Sequence, residues 1–271
     1  MLRAGFDDGR VRLHPPRALL LSTGRSLEVS RVAAGDIWRR VGAEYLGSLL
    51  LCGIVVGSGI SAQLLSPGAV GLELLENAIA TGLGLYFLIL IFAPISGAHF
   101  NPLVSFIDAA FGGISWSRAW WYLVAQVSGC VSGAVLANVM FSKTAISLST
   151  DRRASLAHGV SEVVATAGLL LVIFLLAGTG RSSHAPAAVG AYITAAYFFT
   201  SSTSFANPAI VFGRMLSNTF AGIAPSSAPS FVGAEVLGAA VAYGLVRAFV
   251  PRKRSDEGSR LTVPSKEQSH G

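Results

Sequence analysis

Six stretches of about 20 apolar residues dominate this chain, at roughly 41–62, 74–95, 118–140, 155–178, 185–205 and 229–249. Each is long enough to cross a hydrocarbon layer of about 30 Å at about 1.5 Å per residue. Their backbone must then be helical, because lipid offers no partner for exposed amides. The placement of charge agrees. Of the 34 Lys, Arg, Asp and Glu residues, only 13 lie between Val41 and Val246, and 21 sit in the 65 residues outside. A charged fraction of 13%, against roughly 25% in soluble domains, leaves too little charge to cover a water-exposed surface. These features exclude a cytosolic enzyme and predict an all-α membrane protein.

The net charge of +6 points to topology rather than to nucleic acid, because the basic residues cluster at the two ends. With both termini inside, eight arginines before Val41, Arg118, Arg181 and six basic residues from Arg247 to Lys266 face the cytoplasm. Lys143, Arg152, Arg153 and Arg214 face out. Sixteen against four satisfies the positive-inside rule and predicts cytoplasmic termini. Residues 1–40 read as a basic, mostly disordered tail, and 250–271 as a second polar tail. Cys52 and Cys130 fall in apolar runs and read as buried thiols.

Two further apolar segments are too short to span. One is Phe100–Phe111. The other begins at Ala206–Gly213 and continues to Phe220. Each opens with Asn-Pro, at Asn101-Pro102 and Asn207-Pro208, 106 residues apart. Short Pro-opened segments at matching places in two halves point to an inverted repeat with its site at the bilayer midplane. The halves match elsewhere. Ala43-Glu44 through Ser48 answers Ser161-Glu162 through Thr166, and Ala125-Gln126 before Gly129 answers Ala234-Glu235 before Gly238. The expected architecture is six transmembrane helices plus two re-entrant half-helices in a 3+3 inverted repeat around a central pore. Its repeats are 41–140 and 155–249.

Proline suits the first position of a helix, and asparagine before it caps the helix through its side-chain oxygen. The side-chain amide hydrogens are then free to point outward. Two half-helices meeting N-terminus to N-terminus would bring Asn101 and Asn207 together as hydrogen-bond donors. They would also aim two positive dipole ends at one point. Such a site accepts the oxygen of a neutral solute and repels cations. A single Asn-Pro is usually only a cap; the pair, flanked by matching glutamates, carries the functional reading.

Ser96-Gly97-Ala98-His99-Phe100-Asn101-Pro102 and Phe205-Ala206-Asn207-Pro208-Ala209 resemble the two signatures of the aquaporin and glycerol-facilitator family. The resemblance covers about 41–249. It implies a passive channel for water or small uncharged solutes, assembled as a homotetramer with one pore per chain, and no cofactor. Two departures stand out. Leu103 replaces the usual alanine of the first signature. Ile210 stands where the family has an arginine that helps form the outer constriction. Arg214 lies one turn further along the half-helix and is expected not to substitute for it. The resemblance places Thr81 and Ser204 at this selectivity filter with Ile210. The fourth position is Ala195 counting back from Asn207, or Tyr197 counting forward from Gly190. With Ala195 the filter is wide and rather apolar, fit for glycerol, urea or metalloid hydroxides such as As(OH)3. Residues Asn218–Pro225 further resemble bacterial members associated with arsenic resistance.

Glu44 and Glu162 lie inside spans, where carboxylates are functional suspects. Their symmetric placement favours a structural role, holding the irregular loops beside the half-helices. His99 and Gln126 are expected to brace the first loop. The alternative is a proton-coupled transporter using Glu44 and Glu162. An ion-conducting pore is a third reading, opened by the missing arginine. Trp116, Trp120, Trp121 and Tyr122 read as an interfacial anchor. No catalytic triad, phosphate loop or metal spacing appears, so no enzyme is expected.

Overall fold

The computed structural model describes residues 22–250. Eight α-helices make up this part of the chain: α1 Ser22–Leu65, α2 Val70–Ser96, α3 Pro102–Phe111, α4 Trp116–Met140, α5 Leu156–Gly178, α6 Ala185–Phe199, α7 Pro208–Arg214 and α8 Ala228–Phe249. Among the described residues, five segments are long and apolar enough to cross a membrane: 36–65 of α1, α2, α4, α5 and 225–249. The stretch expected at 185–205 folds as the 15-residue α6, preceded by a 3-10 turn at Ser182–His184. The irregular Thr200–Ala206 loop claims the rest of it. Helix α1 begins at Ser22, inside the stretch read from sequence as a tail. Residues 1–21 and 251–271 lie outside the described residues.

The packing follows a pattern that the two halves share. In the first half α1 packs on α2 and α4, and α3 packs on α4; in the second α5 packs on α6 and α8, and α7 packs on α8. The halves join where α2 meets α6, and each short helix also packs on the last helix of the opposite half, α7 on α4 and α3 on α8.

Helices in lipid gain little from burying apolar surface against one another, so close backbone approach must supply the attraction. The sequence provides it with glycine. A Cβ at Gly133 would collide with the Leu49 carbonyl and stand 2.9 Å from the Gly53 amide. At the equivalent seam of the second half, a Cβ at Gly238 would stand 2.6 Å from the Val163 carbonyl oxygen. Gly133→Leu is therefore expected to pry α1 from α4. Overpacking of this kind costs about 1–3 kcal/mol, readable as an earlier melting transition in detergent. Large apolar side chains such as Leu83, Leu90, Val124 and Leu237 stay exposed on the outer faces, where lipid would cover them.

Candidate functional site

The two short helices start in the same way. Pro102 and Pro208 occupy the first turn, and the preceding asparagines are the caps. Asn101 Oδ1 accepts the Leu103 amide at 2.9 Å; Asn207 Oδ1 accepts the Ala209 amide at 3.0 Å. The loops that lead into them match residue for residue. The third and the first residue before each asparagine adopt left-handed backbone, with φ of 51° at Ala98, 49° at Phe100, 51° at Ser204 and 48° at Ala206. None is glycine, so each costs energy, on the order of 1–2 kcal/mol. Such strain persists only where the surroundings enforce it.

The surroundings do so first by a reciprocal bridge. Asn101 Nδ2 donates to the Ala206 carbonyl at 2.7 Å, and Asn207 Nδ2 donates to the Phe100 carbonyl at 2.8 Å. Capping alone leaves both hydrogens of each side-chain amide free. One of them instead ties each loop to the other, and the second remains for the cavity that both side chains line.

Buried carboxylates hold the loops from behind. Glu44 accepts four donors: Ser96 Oγ at 2.5 Å, the His99 amide at 3.0 Å, the Phe100 amide at 2.7 Å and Gln126 Nε2 at 2.9 Å. Glu162 accepts the Phe205 and Ala206 amides at 2.9 and 2.7 Å. Gln126 also reaches Ser105 Oγ at 3.0 Å. Ser105 Oγ in turn meets His99 Nδ1 at 3.0 Å, while His99 Nε2 lies 3.6 Å from Asp108. Asp108, without an expected role, thus faces the ring that braces the first loop. Glu235 is marked in the sequence only by its match to Gln126, yet its Oε1 accepts the Asn207 amide at 2.9 Å. The repeat correspondence is the signal that finds it.

A narrow cavity of about 70 Å³ runs past both asparagines. Thr81, Ser204 and Ile210 line it, and so do Val104, Ile173, Val189 and Ile193. From this part of α6, Tyr197 lines the cavity and Ala195 does not. Tyr197 is buried and its hydroxyl meets Thr81 Oγ1 at 3.1 Å, whereas Ala195 is exposed on the opposite side of the helix. The lining therefore carries a phenol hydroxyl that a count back from Asn207 does not suggest. Arg214 also lines the cavity, buried to 2% exposure, despite its place one turn beyond Ile210. The Leu103 departure is a local change: its side chain is buried among Val104 and residues of α5 and α8. Tyr122 leaves the expected interfacial cluster; it is buried and donates to the Ser96 carbonyl at 2.8 Å, while Trp116, Trp120 and Trp121 remain exposed.

Comparison with known proteins agrees with this geometry. The family model described as Major intrinsic protein matches residues 31–206. The chain is 47% identical over 213 residues to the aquaglyceroporin AqpS of Rhizobium meliloti, covering 78% of this chain and 90% of that one. It is 33% identical to the glycerol uptake facilitator protein of Pseudomonas aeruginosa, over 77% of this chain and 82% of the other. The X-ray structure of the aquaglyceroporin from Plasmodium falciparum superposes with a TM-score of 0.61 at 21% identity, covering 77% of this chain and 95% of that chain. The chain belongs to the major intrinsic protein family, the aquaporins and glycerol facilitators, and is a passive membrane channel for small solutes rather than an enzyme.

Proposed function

We propose that this chain conducts water and glycerol-sized uncharged solutes, As(OH)3 among them, through one pore per subunit of a homotetramer with both termini in the cytoplasm. In this reading α1, α2, α4, α5, α6 and α8 are the six spans, α3 and α7 are the re-entrant half-helices, and the halves form an inverted 3+3 repeat. The observation that carries it is the crossed pair of bonds, Asn101 Nδ2 to Ala206 O and Asn207 Nδ2 to Phe100 O, beside a cavity of about 70 Å³ that both asparagines line. The cavity suits an amphipathic solute. Thr81, Tyr197 and Ser204 offer hydroxyls, and Ser204 Oγ has no partner among the described residues. Ile173, Val189, Ile193 and Ile210 offer an apolar wall for carbon.

The oxygens of Glu44 and Glu162 are taken up by loop donors, which supports passive flux over proton coupling. The metalloid part of the proposal rests on the resemblance of Asn218–Pro225 to arsenic-resistance-associated members. It rests also on chemistry: As(OH)3 is neutral near pH 7 and presents three hydroxyls, as a polyol does.

The test is stopped-flow swelling of liposomes under water, glycerol and As(OH)3 gradients. Flux of all three, unaffected by an uncoupler, is expected; strict water selectivity would overturn the solute range. Ile210→Arg would add a second guanidinium to the cavity that Arg214 already lines. It is expected to lower glycerol and As(OH)3 flux about fivefold or more while water flux falls less.

A further inference from the structure

The family's outer arginine is absent at Ile210, yet the cavity is not without a fixed cation. Resting on the channel reading above, we infer that Arg214 is the solute-facing donor and positive charge of the outer constriction, delivered from the last turn of α7 instead of its first. One helical turn is about 5.4 Å, a distance that an extended arginine side chain spans. Here it is folded back toward the loop. Its guanidinium carbon lies 3.5 Å from the centroid of the Phe205 ring, two residues before Asn207 in sequence. Nε donates to the Ala221 carbonyl. These two contacts fix the plane of the group from its stem side and from one face.

The rest of the guanidinium has no protein partner. Among the described residues, neither terminal nitrogen makes a hydrogen bond and no carboxylate lies within ion-pair distance of Arg214. Glu162, the acidic residue that holds the same loop, spends its oxygens on the Phe205 and Ala206 amides. Asp151 is paired with Arg153 instead, at 2.8 Å. A cation 2% exposed without a carboxylate is costly unless something supplies acceptors. Arg214 borders the cavity, with Ile210, Ser204 and Tyr197 as fellow wall residues, and neither terminal nitrogen is among the fully enclosed atoms that lack a partner. The acceptors are therefore the oxygens of water or of a hydroxylated solute passing through. A full charge in a low-dielectric path also repels cations far more strongly than it would in water. The residue thus sets specificity in two ways: it donates to hydroxyl oxygen and bars cations.

Arg214→Gln keeps a planar donor for the Ala221 carbonyl and removes the charge. In liposomes, its proton and potassium leak is expected to rise about tenfold or more, whereas Arg214→Lys stays within about threefold of the unaltered protein. Unchanged leak in a folded, solute-conducting Arg214→Gln protein would overturn the inference and leave Arg214 a strut for the 215–224 loop. Should Arg214→Gln fail to fold, Ser204→Cys with Arg214 intact decides. An anionic thiosulfonate reagent should label the introduced thiol, read by mass, about tenfold faster than a cationic reagent of equal size. Equal or reversed rates would overturn the inference. Failure of the channel reading would look different, as absent solute flux in the unaltered protein, and would leave the labelling ratio readable.

Discussion

Glu44→Ala is expected to abolish solute flux and to lower the melting temperature by on the order of 10 °C. The carboxylate is fully buried and accepts four donors, two of them backbone amides of the loop that enters α3. Hydrogen bonds to a charged group contribute about 1.5–3 kcal/mol each, and a stranded buried donor costs about 1–3 kcal/mol. Ser96 and Gln126 are side chains that can turn elsewhere; the His99 and Phe100 amides cannot. Their loop holds Ala98 and Phe100 at positive φ, so losing the carboxylate also releases stored strain. The net loss is about 3–5 kcal/mol, the range for breaking a buried charged network. Glu44→Gln separates shape from charge. It keeps the volume, but its NH2 would face two of the four donors, so it should recover less than half of the lost stability. Melting in detergent and glycerol swelling in liposomes read both effects. A Glu44→Ala protein that conducts glycerol normally would remove the carboxylate from any loop-holding role.

Replacing either asparagine is the second large effect. Asn207→Ala removes a helix cap, about 1 kcal/mol, and leaves the Phe100 carbonyl without its donor, about another 1 kcal/mol or more. Asn101→Ala does the same to α3 and to the Ala206 carbonyl. Each single change is expected to cost about 2 kcal/mol and to lower glycerol flux about tenfold, since in the proposed pore the solute loses one of its two amide donors. The pair should not add. Once one crossing bond is gone the two loops part, and the second bond has less to hold, so the double variant should cost less than the two singles together. A double-mutant cycle on melting gives the coupling. Strict additivity would mean that the two loops do not support each other.

How far the chain can be read in advance varies with the kind of residue. The asparagine caps are legible because capping is local: an Asn-Pro at the head of a short apolar segment has one structural solution, whatever surrounds it. Glu44, Glu162 and Gln126 are legible because a polar residue inside a span must find a partner, and the repeat shows where. Glu235 is harder to place although the same repeat points to it, because its match to Gln126 does not by itself name the amide it serves.

The α6 position is the least legible. At about 100° per residue, the two-residue step from Ala195 to Tyr197 turns a side chain to the far side of the helix. The length of the irregular Thr200–Ala206 loop decides which of them faces in. Arg214 defeats spacing for a related reason. Its Cα does lie one turn beyond Ile210, but a long side chain goes where the Phe205 ring and the Ala221 carbonyl hold it.

The amino-acid sequence alone determined that this chain crosses a membrane as helices and starts two short ones with asparagine, because hydropathy and capping act over a few consecutive residues. Tertiary structure alone decided that Tyr197 and Arg214 face the cavity and that each asparagine spends a hydrogen on the opposite loop. Those outcomes depend on helix rotation and on side-chain reach across elements far apart in sequence, and no local pattern encodes either.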